Sequence, residues 1–375
     1  MTMTHTLRRQ AFIYNGSIDS SIANFSKLIT TFLELNRGNN RPLLLRLTSS
    51  GGVPEQINGL CGIIHQVQAE GHPVHVHVLG QLCAFTYMVA AVADKILMEP
   101  SASLVFGQMR VVKSGTVIDI ASYILFQQEL YNKLVNAIVD RSKRSENAVN
   151  DETVRSWRGK HLTAQQAHDL GLCDEVLPLP TEPVKKSDKQ EHVVHMNGAF
   201  SKDSAFVDLL IGLHNWMENT DNEGQPLKIF LTSWGGTVVQ ALSLYGLVSE
   251  IQRLGHHVTI QVMGEAYSCA LWFATVALGS GTVLIDSFAM LMFHAPSTDL
   301  DCELDVALAK LSIDQGVYAQ TSGLLARAKG FTQALLQDWE GKPDRYLTAE
   351  QVVGLGLGQL FCGRTVDMPA SGSVA

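Results

Sequence analysis

Leu231-Thr232-Ser233-Trp234-Gly235-Gly236 repeats, 184 positions on, the run Leu47-Thr48-Ser49-Ser50-Gly51-Gly52. At the same offset Gly255-His256 matches Gly71-His72, and Gly264 matches Gly80. Leu347-Thr348-Ala349 matches Leu162-Thr163-Ala164 at an offset of 185. Markers in one order at near-constant spacing mean a tandem duplication. The unit is about 180 residues, too long for a solenoid repeat and right for a whole domain. The boundary is expected at Leu177-Pro178-Leu179-Pro180-Thr181-Glu182-Pro183 and the charged run up to Glu191, which read as a semi-extended, solvated linker. The domains are therefore expected at 1–176 and 192–363, with linker 177–191 and a disordered tail at 364–375.

Each unit alternates strand and helix. In the second, Lys228 to Thr232 is a short apolar strand running into a glycine turn. Val238 to Leu254 has helical spacing and stops at Gly255; His257 to Met263 alternates as a strand. Gly264 to Tyr267 reads as a turn, and Ser268 to Leu278, apolar on every side, as a buried helix. Ala289 to Phe293 is a buried strand and Glu303 to Lys329 a long helix. Thr348 with Gln351, and Thr163 with Gln166, are capping boxes. The first strand of the chain is expected at Gln10 to Tyr14. Such alternation implies an α/β fold, a mainly parallel sheet covered by helices, built twice.

The 375 residues are 46% hydrophobic and 17% charged, which excludes a largely disordered chain. A net charge of −8 argues against nucleic acid or an anionic membrane as partner. The longest apolar run, Ala266 to Leu278, is too short to span a bilayer. No apolar stretch follows Arg8-Arg9, so no signal peptide is expected. Six widely spaced cysteines without a CxxC pair suit a reducing cytoplasm and give neither a disulfide framework nor a metal site. No cofactor is implied.

In a parallel α/β unit, sites gather at the carboxyl ends of strands. Gly235-Gly236 follows a strand; paired glycines are either a tight turn or a place where backbone N–H groups approach a ligand. Ser268 opens a buried helix, as an N-cap or as a nucleophile where free N–H groups favour a developing anion. His294 ends the strand Met290-Leu291-Met292-Phe293, as a satisfied histidine or as a base. Serine, histidine and glycine amides together are the parts of an acyl-transfer site, since a serine hydroxyl needs a base to take its proton.

The run SWGG, then GEAYS, MLMFHAP and DRYLTAEQVVGLGL resembles the proteolytic subunit family of the Clp proteases, ClpP, whose patterns are SPGG, GQAAS, MIHQP and DR before a Ser/Thr-led helix. The resemblance implies a ClpP/crotonase-like fold and a serine endopeptidase acting on peptides or unfolded polypeptides. It places Ser268 as nucleophile, His294 as base and Asp344 as the acid that orients it. The N–H groups of Gly236 and Cys269 fall at the oxyanion donors. Trp234 stands where the family has proline, and the glycines that usually follow the histidine are missing. The family's axial loop and first helix have no counterpart before Gln10, so a Clp-type unfoldase ATPase is an open partner.

The first unit keeps the frame and loses the chemistry. Ala84 stands at the serine's place, Gly107 at the histidine's and Gly159 at the aspartate's, so this repeat is expected to be a catalytically inactive pseudo-protease. Cys83, one residue early, reads as a small buried residue. His72, His75 and His77 read as strand-surface histidines rather than a metal cluster. Two other functions stay open: a non-catalytic scaffold or regulatory subunit of a Clp-type complex, and a crotonase-like acyl-CoA enzyme. The family's closed rings imply a homo-oligomer with an even number of repeats, inert and active units alternating.

Overall fold

The computed structural model describes residues 10–19, 22–107, 114, 116–294, 304–339 and 344–361. The expected tail from 364 and the segment after His294 lie outside them. Two seven-stranded sheets follow one another along the chain. The first holds β1 (Gln10–Asn15), β2 (Leu43–Ser49), β3 (Val74–Cys83), β4 (Lys95–Met98), β5 (Ser103–Phe106), β6 (Lys160–Thr163) and β7 (Glu175–Val176). The second holds β8 (His192–Asn197), β9 (Leu227–Ser233), β10 (Val258–Tyr267), β11 (Thr282–Asp286), β12 (Met290–Phe293), β13 (Arg345–Thr348) and β14 (Gln359–Phe361).

The two sheets repeat one pairing scheme. The order is β1-β2-β3-β4-β7 in the first, with β5 on β3 and β6 on β5; it is β8-β9-β10-β11-β14 in the second, with β12 on β10 and β13 on β12. Every pairing is parallel except β5 with β6 and β12 with β13. The fold is thus α/β, with two helix-covered, mainly parallel sheets. The helices needed below are α1 (Pro54–Ala69), α2 (Val117–Ser142) and α3 (Ala164–Asp169) in the first half. In the second they are α4 (Ser204–Glu218), α5 (Val238–Arg253), α6 (Cys269–Phe273), α7 (Leu304–Leu325) and α8 (Ala349–Gly354). Both expected capping boxes form, Thr163 with Gln166 opening α3 and Thr348 with Gln351 opening α8.

Two expectations are corrected. Gly264 does not turn the chain: β10 runs on to Tyr267, after a register shift against β9 between Val262 and Ala266. The apolar stretch 268–278 is not one helix; α6 is a single short helix followed by a 3-10 turn, Ala274–Ala277, and Ser268 stands outside it. The segment between β7 and β8 has no helix or strand and is mostly exposed, with hydrogen bonds fastening it to the second half. Val184 N–H donates to Ser280 O (3.0 Å), and Ser187 Oγ donates to Gly224 O (2.6 Å).

The halves pack against each other through α5, which lies on β3. Small residues allow the approach: a Cβ on Gly246 would meet Leu79 O at 2.2 Å, and one on Gly80 would meet Ser243 N at 2.9 Å. Leu79, though on β3, belongs to the second half's apolar core. Beside this contact lies a buried ionic network. Arg46 Nε donates to Glu250 Oε2 (2.7 Å), and its Nη2 reaches Glu250 Oε1 (2.7 Å) and Glu218 Oε1 (2.8 Å). His77 bridges Glu99 (2.7 Å) and Glu250 (3.3 Å), and Arg253 Nη1 donates to Glu99 Oε2 (3.0 Å). His77 is therefore buried between carboxylates, not on a strand surface, because α5 covers that face. His72 is buried as well, its ring Nδ1 against Arg41 O (3.0 Å).

Candidate active site

β10 delivers the chain to Ser268, and α6 carries it away. Ser268 has φ 55° and ψ −123°, and among the described residues no other non-glycine has positive φ. Such a backbone costs on the order of 1–3 kcal/mol and persists only where its surroundings hold it. The Ser268 N–H donates to Met292 O on β12 (2.9 Å), which pins the turn to the neighbouring strand. The hydroxyl makes no capping bond to α6, so the N-cap reading fails and Oγ is left for other chemistry.

The glycine pair after β9 lies against this turn. Gly235 has φ +98° and Gly236 φ +143°. A Cβ on Gly235 would meet Ser268 Cβ at 2.7 Å; one on Gly236 would meet Phe200 O at 2.3 Å. Both positions need glycine, for conformation and for space. Among the described residues no carbonyl accepts from the Gly236 or the Cys269 N–H. Gly236, Ser268, Cys269 and His294 line one cavity of about 390 Å³.

His294 follows β12, half-buried, and makes no hydrogen bond to Ser268 or Asp344. β12 and β13 are antiparallel, with Phe293 opposite Arg345, so His294 and Asp344 are the next couple in that register. Asp344 is exposed and does not line the cavity. The structure thus brings serine, histidine and the two N–H groups to one cavity and sets Asp344 at the histidine's strand partner, without closing the hydrogen-bond chain. Such bonds are often loose in the free state and tighten around substrate. Cys269 offers no rival nucleophile, since burial pushes its thiol up to about 12.

The first half has the same frame. Phe106 pairs with Lys160, which makes Gly107 and Gly159 the next couple, in the places of His294 and Asp344. Ala84 follows β3 as Ser268 follows β10. Cys83 is half-buried rather than buried, and its thiol is likewise pushed up to about 12 by burial.

Two cavity residues escaped the sequence reading. Gln81, on β3 of the first half, reaches the cavity of the second, and Asp314 on α7 lines it too. No local pattern signals either, because the contact joins residues far apart in the chain. No group of histidine, cysteine, aspartate and glutamate among the described residues is placed to hold a metal ion. No described helix is long and apolar enough to cross a membrane.

The strand–turn–helix at Ser268 thus brings a serine, a histidine and two unclaimed N–H groups to one cavity on an α/β frame. The Clp protease family model matches residues 1–179. The first half is therefore similar to the Clp proteases, and it holds Ala84, Gly107 and Gly159 where the second half has Ser268, His294 and Asp344. The half with Ser268 repeats its strand pairing.

Proposed function

We propose that the chain is a serine endopeptidase, a tandem ClpP-like duplication that hydrolyses peptides or unfolded polypeptides in its second half. Ser268 Oγ attacks the scissile carbonyl while His294 takes its proton. The oxyanion is held by the Gly236 and Cys269 N–H groups. His294 then protonates the leaving amine, and a water activated by the same imidazole frees the acyl group from Ser268. Asp344 steers the imidazole from the adjoining strand. The observation that carries this reading is the uncapped Ser268 at positive φ, in one cavity with His294 and two unclaimed amides. Cleavage of fluorogenic peptides by the full chain tests it. Ser268→Ala and His294→Ala are expected to lower the rate by about three orders of magnitude or more; equal rates in Ser268→Ala contradict it.

The match of residues 1–179 to the family model, on a half without the three residues, favours a second reading: a non-catalytic subunit of a Clp-type complex. An inert wild type in the same assay selects it.

The first half, on the peptidase reading, is a structural pseudo-protease, and copies of the chain assemble into a closed ring with inert and active units alternating. Two surfaces support this. Met263 on β10 matches Leu79 at the offset of 184, and it is 42% exposed where Leu79, under α5, is 0% exposed. Gly62 on α1 matches Gly246, and a Cβ there would meet nothing within 4 Å. The α1 face of one chain thus fits the β10 face of the next, as α5 fits β3 within the chain. Such a head-to-tail contact makes a ring when its rotation closes and an open filament when it does not. Arg46 and Glu250 correspond to Phe230 and Gln66, so the ionic network belongs to the contact within the chain alone and fixes the alternation. Native mass spectrometry is expected to show rings of three or four chains, broken by Gly62→Arg; a monomeric wild type contradicts the assembly.

A further inference from the structure

The cavity beside Ser268 has a charged wall that the proposed catalysis does not use. Asp314 on α7 lines it, and apart from His294 it is the cavity's one ionisable side chain among the described residues besides the thiol of Cys269 and the phenol of Tyr318. Its Oδ2 is shielded from solvent and has no hydrogen-bond partner. Ser322 Oγ, just over two turns further along α7, is buried and unpartnered in the same cavity. Leu271, Trp272, Phe293 and Leu325 make the remaining wall largely apolar. A buried carboxylate oxygen without a donor costs free energy that a ligand cation would offset. An apolar passage ending in an anion suits a long side chain with a positive head, whose methylenes pack while the head is paired.

We propose that Asp314 makes this cavity a specificity pocket for lysine or arginine at the substrate residue beside the scissile bond. The inference rests on the peptidase reading above. Gln81 of the first half stands in the same wall and also lines the corresponding cavity of the first half, as does Asp314. The inert unit therefore supplies part of the pocket that selects the substrate of the active one.

The test uses the full chain and fluorogenic peptides that differ only in Arg, Lys, Leu or Asp beside the scissile bond. The wild type is expected to favour Arg and Lys over Leu by about tenfold or more in kcat/KM. Asp314→Asn is expected to remove most of that ratio, through KM more than kcat, and Asp314→Lys to reverse it in favour of Asp. Butylguanidinium is expected to protect wild-type Ser268 from a fluorophosphonate, and butanol not to, which requires no variant to fold. No preference in the wild type, or an unchanged ratio in Asp314→Asn, overturns the pocket while leaving the peptidase reading intact. A kcat falling alike for Arg and Leu peptides in Asp314→Asn also overturns it, and makes Asp314 a positioning group for His294. A wild type that neither cleaves peptides nor takes the label at Ser268 overturns both.

Discussion

Gly235 leaves room for Ser268: a Cβ on Gly235 would lie 2.7 Å from Ser268 Cβ and 3.3 Å from Ser268 Oγ. The glycine's φ of +98° adds conformational strain to any replacement. Gly235→Ala must therefore displace the serine turn or the end of β9. The expected cost is about 1–3 kcal/mol of stability. Peptidase activity should fall by about a hundredfold, since misplacing a reacting group by an ångström has that scale. Denaturant unfolding and peptide cleavage on the same variant separate the two effects. Wild-type kinetics in a folded Gly235→Ala protein would mean that Ser268 is not the nucleophile or that the turn yields freely.

The first half should resist revival. Ala84→Ser alone supplies a hydroxyl without a base, and no second reactive serine is expected. The triple change with Gly107→His and Gly159→Asp meets a further barrier at the aspartate. Gly159 has φ +78°, and a Cβ there would meet Ala309 Cα at 2.6 Å, so a side chain pushes β6 away from α7. Gly107 carries no such conformation. Ser268→Ala combined with the triple change is expected to stay inactive and to melt lower than Ser268→Ala itself. Recovered cleavage in that protein contradicts the account of the inert half.

The Arg46 network should dominate the docking of the two halves. Arg46→Met removes the cation that Glu218 and Glu250 share, and losing one partner of a buried ionic network costs about 3–5 kcal/mol. A second transition in chemical unfolding, or a lower midpoint of the single one, reads that loss. An unchanged unfolding curve contradicts it.

The same network carries a pH dependence. Burial acts to lower the His77 value, but Glu250 and then Glu99 outweigh it and hold the imidazolium above its ordinary 6.5. Its stabilising contribution is therefore fully present below the unfolded value and is lost as pH rises through the folded one. Glu250 works from the other side. Burial raises it, yet Arg46 and His77 hold it well below 4.5, so its contribution is lost only as pH falls through that depressed value. His214, lowered to about 4 first by burial and then by Arg46, also weakens the fold as pH drops below 6.5 towards about 4. Melting temperatures across the alkaline side of neutrality should fall in the wild type and fall less in His77→Gln. Parallel profiles contradict the assignment.

Much of the frame was legible because it is written locally. The matched Leu-Thr-Ser runs at 47 and 231, and the capping boxes at Thr163 and Thr348, read as two copies of one strand–helix unit, and both sheets share one pairing scheme. The backbone at Ser268 was not legible, because its positive φ follows from the packing of Gly235 and from the Met292 carbonyl on another strand. Gly264 misled as a turn because a strand tolerates glycine where its register shifts. His77 misled for a different reason: alternation along β3 tells which residues share a face, not that α5, more than 150 residues on, will bury it. Gln81 and Asp314 meet at one cavity across the two halves, a juxtaposition that no spacing within either unit encodes.

The central claim is that Ser268 is an activated nucleophile and that the first half holds none. Fluorophosphonate labelling of the full-length protein, mapped to residues by mass spectrometry, tests it most directly. One label per chain is expected, on Ser268, abolished in Ser268→Ala and strongly slowed in His294→Ala. Failure of folded wild-type protein to take the label, or a label on Ser49, Ser50 or another serine that persists in Ser268→Ala, contradicts the account.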